Sequence, residues 1–234
     1  MTNRNLIPDQ EWFFNSNTLE EGEDNEEFVR ATQGSAICRI GSDVNVTDEG
    51  AEFTEETSDS NIRLRGEIMR YETNPFSIAL WFKSTSNKGN STIFGNRTDG
   101  GHGNFVCLRF ASGKVSFEID NENSGGYVAI NTPKTYNDGA WHHIVAVRNG
   151  TKASLFMDGE LAGEGESDTV VDLDWRSAGF YAGYWYSFPL PLFSSEIIFS
   201  YLFCHFQHDF PRLRSPFLWK HQIIGYLPCC SPCF

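Results

Sequence analysis

Positive charge is scarce in this sequence: 18 Lys and Arg stand against 31 Asp and Glu, a formal net charge of −13 with a pI near 4.8. That balance argues against nucleic acid and anionic membrane as partners, because binding to either draws on Lys and Arg neutralising phosphates. An export signal is lacking too: the start, MTNRNLIPDQEWFF, has no basic segment followed by an apolar stretch and a small-residue cleavage site. Ser177 to Ser195 is uncharged, but Pro189 and Pro191 interrupt it, serines dilute it and Glu196 follows, so no membrane-spanning helix is expected. No G-x-S-x-G, H-E-x-x-H, Walker or dinucleotide fingerprint is present. The six cysteines (Cys38, Cys107, Cys204, Cys229, Cys230, Cys233) form no matched C-x-x-C pairs, which excludes the common zinc-binding patterns. Cys38 and Cys107 are compatible with a disulfide or with two buried thiols.

What is present divides by composition into three regions. Residues 1–34 are polar and acidic, with the run LEEGEDNEE, and read as a mostly irregular lead-in in which Trp12, Phe13 and Phe14 could dock as an edge strand. Residues 35–183 carry short runs of alternating apolar residues separated by Gly, Asn, Asp and Ser clusters, the pattern of many short antiparallel strands. In Phe76-Ser77-Ile78-Ala79-Leu80-Trp81-Phe82-Lys83 the odd-placed Phe76, Ile78, Leu80 and Phe82 share one face, which is expected to be core. Further strands are expected at Phe105–Phe110, Val115–Asp120, Tyr127–Asn131, His142–Arg148 and Ala153–Met157, with turns at ASGK, NSGG, RNGT and DGE. Turn signals at this spacing point to an all-β sandwich. Residues 184–234 differ again: eight of the twenty Phe fall here, Glu196 and Asp209 are the only acids and Gly225 the only glycine. This Phe-rich tail reads as one not selected to fold.

Two segments give the middle region a relative. NPFSIALWFKS at Asn74–Ser84 and NDGAWHHIVAVRNGTKASLFMDGELAG at Asn137–Gly163 resemble the laminin-G-like group of the concanavalin-A-like lectin/glucanase superfamily, and GAEFTEETSDSNIRL at Gly50–Leu64 resembles the strand and loop preceding the first motif. The resemblance implies an antiparallel jelly-roll β-sandwich and an extracellular setting. Such domains close with a C-terminal strand bearing an Asp-Glu pair; nothing like it follows Phe180-Tyr181-Ala182-Gly183, so the sandwich is expected to be incomplete there, with an exposed sheet edge. From the residues themselves, Asp138-Gly139 and Asp158-Gly159 supply tight turns, and Trp141, Val145 and Val147 share a strand face on which Trp141 is expected to anchor the core. Four sequons, at Asn45, Asn90, Asn96 and Asn149, lie in turn-like stretches that would tolerate a glycan.

Three candidate chemistries follow. Glu118, Asp120 and Glu122 stand two apart, so on one strand they would form a carboxylate row. The row resembles the E-x-D-x-E strand of laminarinase-type glycoside hydrolases, in which the outer two serve as nucleophile and acid/base. Against it, Asn121 to Gly126 reads as a turn that takes Glu122 out of the strand. Calcium is the candidate cofactor, with Asp99, Asn104, Asp120 and Asn123 as oxygen ligands on neighbouring loops, although Asp and Asn populate turns for their own reasons. Trp81 and Tyr127 are the candidates for stacking on a sugar. His142 and His143, being adjacent on a strand, point to opposite faces and cannot chelate one ion together. The favoured expectation is a non-enzymatic recognition module for a glycan or an extracellular protein. The alternatives are a glycoside hydrolase and a truncated product without activity of its own.

Overall fold

The computed structural model describes residues 8–53, 57, 59–65, 72–87, 90–97, 101–121, 125–173, 180–182 and 197–206. Its strands run in chain order as β1 (Gln10–Phe13), β2 (Leu19–Glu21), β3 (Glu27–Arg30), β4 (Ile37–Ile40), β5 (Val44–Val46), β6 (Ala51–Phe53) and β7 (Ile62–Arg65). The central motifs follow as β8 (Phe76–Ser84), β9 (Asn90–Gly95), β10 (Asn104–Ala111), β11 (Lys114–Asn121) and β12 (Val128–Asn131). The last are β13 (Trp141–Asn149), β14 (Lys152–Met157), β15 (Glu160–Glu166), β16 (Phe180–Ala182) and β17 (Ile197–Phe206). They form two antiparallel sheets. An eight-stranded sheet is ordered β15-β14-β13-β8-β17-β6-β5, with β1 also paired to β17, and a nine-stranded sheet is ordered β12-β11-β10-β9-β16-β7-β4-β3-β2.

Alternation assigns the inner faces. Phe76, Ile78, Leu80 and Phe82 of β8 are at most 1% exposed and pack in one cluster with Val106, Leu108 and Phe110 of β10 and Val115, Phe117 and Ile119 of β11. Between the sheets Phe82 meets Phe110 edge-on at 5.8 Å, and within the nine-stranded sheet Phe94 stacks on Phe180 at 5.5 Å. Each such ring removed from water contributes roughly 2–3 kcal/mol. Hairpin turns hold the register. Ser112-Gly113 and Asp158-Gly159 both have positive φ at the two turn positions, the geometry that matches strand twist and for which glycine is the preferred second residue.

The same alternation corrects the reading of Trp141. It does share a face with Val145 and Val147, but register pairs Trp141 with Lys83 and Val145 with Ala79, positions that point away from the core. Trp141 is therefore half-buried on the outer side, its ring 5.9 Å from the Lys83 ammonium. The inward set on β13 ends instead with Arg148, 1% exposed, stacked 5.0 Å from the Phe76 ring. Its guanidinium donates to the carbonyls of Glu72 (2.8 Å), Asn74 and Val171, tying the approach to β8 to the segment after β15. The two adjacent histidines separate as expected. His142 bridges the Asp-Gly turns through Asp138 and Asp158, each at 3.0 Å, while His143 lies outside against Trp81, ring centroids 4.9 Å apart.

Two expectations for the chain's ends change. Residues 8–34 are not irregular: Trp12 (0% exposed) and Phe14 (2%) are buried, and the acidic run makes the β2–β3 hairpin, turned by Asp24 and Asn25 at positive φ. Only Val29 of that hairpin is fully buried, so no apolar alternation announces it; its charges suit an exposed edge. Nor is the closing position empty. β17, drawn from the Phe-rich region, pairs along the whole of β8 on one side, and with β6 and β1 end to end on the other. Its Ile, Leu, Phe and Tyr residues suit a strand, but no glycine-containing turn in the sequence brackets it.

Hydrogen exchange of the amides in 197–206 is accordingly expected to be as slow as that of β8, and fast exchange there would remove β17 from the sheet. His143 supplies a pH test. Burial pushes its pKa from 6.5 down to about 4, opposed by the Asp158 charge. Unfolding frees the ring to take a proton, so stability is unaffected above about pH 6.5 and falls between there and pH 4, by up to about 1.4 kcal/mol per pH unit. Urea denaturation of His143→Gln should lack that component, and an unchanged difference between pH 7 and pH 5 would place it elsewhere.

Candidate functional site

The outer face of the nine-stranded sheet gathers the polar residues. On β4 and β7 the inward positions are Cys38, Ile40, Ile62 and Leu64, all at most 5% exposed, which sends Arg39, Arg63 and Arg65 outward. Register aligns one residue from every strand in a transverse row: Glu20, Phe28, Arg39, Arg63, Tyr181, Gly95, Cys107, Glu118 and Ala129. Gly95 is fixed by crowding, since a Cβ there would fall 2.3 Å from the Val106 carbonyl oxygen.

At the β11 end of the row Glu118 is 2% exposed and held by two guanidinium groups. Arg97 contacts Oε2, Arg109 contacts Oε1 at 2.5 Å, and the Tyr127 hydroxyl donates to Oε2 at 3.4 Å. Arg97 also lies over the Phe105 ring at 4.4 Å and donates to the Gly101 carbonyl at 3.3 Å. Tyr127, 43% exposed, takes an edge-on contact from His102 at 5.4 Å, and its pKa is raised by burial and then by the Glu118 charge. One residue pair further along, Asp120 (1% exposed) contacts His102 Nδ1 at 2.7 Å and accepts the Gly103 N–H at 3.3 Å.

Glu118 and Asp120 thus share the outer face of β11, as their spacing predicts; Glu122 lies outside the described residues. Of the calcium candidates, Asp99 and Asn123 also lie outside them. Asn104 lies opposite Asn121 and Asp120 opposite Phe105 in the β10–β11 register, so by parity the two fall on opposite faces of the strand pair. Calcium takes six to eight oxygens, and Asp120 Oδ2 already meets two donors, so these two do not by themselves make a cation site. Among the described residues no group of three His, Cys, Asp or Glu could hold a metal. Trp81 and Tyr127 are not brought together: Trp81 is on the outer side of the eight-stranded sheet, Tyr127 beside the outer face of the other. Cys38 and Cys107 do not form a disulfide; one lies in the core and the other in the outer row. Burial, followed by the Glu118 charge, pushes the Cys107 thiol up to about 12, which leaves it protonated and inert at neutral pH. The Asn96 sequon is structural, because Asn96 is 3% exposed and its amide bonds the Asn104 carbonyl and the Val106 N–H. Among the described residues no helix is long and apolar enough to cross a membrane.

Sequence reasoning missed Arg39, Arg63, Arg97, Arg109 and Tyr181. The alternations Ile37-Cys38-Arg39-Ile40 and Ile62-Arg63-Leu64-Arg65 do carry a signal, an arginine at three of the four outward positions. Nothing local says that those charges become neighbours.

Solved structures of like architecture include toxin binding domains. The binding domain of Paraclostridial Mosquitocidal Protein 1 superposes with a TM-score of 0.61 at 13% identity, covering 84% of this chain and 49% of that one. The binding domain of botulinum neurotoxin DC in complex with rat synaptotagmin II gives 0.58 at 16% identity, covering 87% and 51%. A structure of botulinum neurotoxin type C, which depends for entering cells upon interaction with two ganglioside molecules, gives 0.55 at 16%, covering 80% and 47%. At these identities the likeness is one of fold, and the chain spans about half the length of each. No curated protein sequence matches the chain. The laminin G domain family matches residues 56–187, more than half of the 234 residues and including both motifs that suggested it. The chain, with its two stacked antiparallel sheets, belongs to the laminin-G-like family of the concanavalin A-like lectin/glucanases superfamily.

Proposed function

We propose that this chain is a non-enzymatic recognition module that binds glycan on the outer face of its nine-stranded sheet. The transverse row carries the reading: it sets Phe28, Arg39, Arg63 and Tyr181 side by side on a face whose other end is Tyr127 with the Glu118 cluster. Tyr and Arg are the residues that supply rigid contact area and fixed donors at recognition surfaces, and a sugar ring needs both a flat partner and directed hydrogen bonds. Solved domains of this architecture support it, one in complex with rat synaptotagmin II and one whose toxin interacts with gangliosides.

The hydrolase alternative asks Glu118 to act as nucleophile. A retaining pair needs a carboxylate open to the sugar with a second about 5 Å away. Here both Glu118 oxygens are engaged by guanidinium groups and the residue is 2% exposed, an arrangement that suits a structural ion cluster.

A glycan array on the full chain, run beside a reducing-end assay, tests the reading. Saturable binding without release of reducing ends is expected, with Tyr127→Ala weakening it by about tenfold. Turnover that disappears in a folded Glu118→Gln variant would establish the hydrolase instead. Because Glu118→Gln leaves two poorly exposed guanidinium groups without their carboxylate, it should lower the unfolding free energy by about 3 kcal/mol in urea.

A further inference from the structure

Arg39 and Arg63 are direct cross-strand partners on the outer face, an arrangement of like charges that destabilises a sheet. It occurs in a chain with 31 acidic residues against 18 Lys and Arg. Glu26 relieves one side, contacting Arg39 at 2.9 Å and Arg65 at 3.9 Å, with both arginine side chains still 44% exposed. Arg63 has no carboxylate partner among the described residues; its exposed guanidinium lies 5.8 Å from the Tyr181 ring. Attraction to an aromatic ring uses none of the guanidinium N–H donors for a carboxylate, which leaves them for another acceptor.

We propose that Arg63 and Arg39, with Tyr181 holding the Arg63 guanidinium, form a subsite for the carboxylate of a sugar acid on the glycan recognised by this face. The inference rests on the glycan reading above and adds the charge class of the ligand. A planar carboxylate matches the guanidinium fork and offsets the repulsion between the paired arginines. The net charge of −13 selects among anions: a polyanion meets long-range repulsion from the rest of the chain, whereas a single carboxylate feels mainly the two local cations.

The probes are methyl glucuronide, its methyl ester and methyl glucoside, titrated into the full chain by calorimetry and thermal shift. The free acid should bind at least tenfold more tightly than the ester or the glucoside. Arg63→Gln should bring the acid down to the level of the ester, while Lys152→Gln on the other sheet leaves it unchanged. Without ligand, Arg63→Gln should be as stable as the parent chain or more so, because the opposed charges are gone. Equal affinity for acid and ester, or an Arg63→Gln variant that binds the acid as before, overturns the subsite. A marked loss of ligand-free stability in Arg63→Gln would make Arg63 structural and overturn it as well. The two readings fail separately. Glycan-array binding indifferent to carboxylate leaves the module and removes the subsite; glucuronide binding lost in Arg63→Gln, with no glycan bound on the array, keeps the anion subsite and removes the glycan module.

Discussion

Packing of one sheet's apolar face on the other is the constraint from which the rest of the molecule follows. Successive strand residues point to opposite sides, so once Phe76, Ile78, Leu80 and Phe82 are committed to the interior, Ser77, Ala79, Trp81 and Lys83 have no choice of side. Register then carries the decision across the sheet. Lys83 takes Trp141 outward with it, and Trp81 takes His143. In the nine-stranded sheet, burial of Ile62 and Leu64 against the core turns Arg63 and Arg65 out, and their partners on β4 and β16 follow.

The outer row is consequently made of two unlike halves. Around β11 it is closed: the Glu118 carboxylate, the guanidinium groups of Arg97 and Arg109 and the Tyr127 hydroxyl satisfy one another over a buried thiol. The buried Glu118 charge is stable there only because guanidinium groups stand against both of its oxygens; taking a single charge out of water at this depth costs far more than any one contact returns. Around β7 and β4 the row is open, and among the described residues the positive groups outnumber the one carboxylate that reaches them. The closed half gives shape to the face, and the open half gives it unspent electrostatic attraction.

The eight-stranded sheet shows how a strand that no turn residues announce takes its place from its neighbours. β17 lies between β8 on one side and β6 with β1 on the other, at a position where an unpaired edge was expected. A strand so placed satisfies its backbone donors and acceptors on both sides, and that requirement is independent of side-chain type.

From the sequence alone the central strands could be read to within a residue or two, because β8, β10, β11, β13 and β14 each have enough length for apolar alternation to show, and β10, β11, β13 and β14 are followed by Gly-containing turn sequences. The inward face of β8, the opposed directions of His142 and His143, and the shared face of Glu118 and Asp120 were equally local, since they depend only on parity. What parity cannot say is which of two faces is the inner one when both carry apolar residues, as on β13, where Trp141, Val145 and Val147 compete with Ile144 and Ala146. It also cannot say which strands become neighbours. Arg39 and Arg63 are 24 positions apart and Tyr181 is far beyond both, yet they stand side by side because β4, β7 and β16 are adjacent in the sheet. Strand order and register are decided by the whole chain's burial at once, and the row of charges that distinguishes this face exists only at that level.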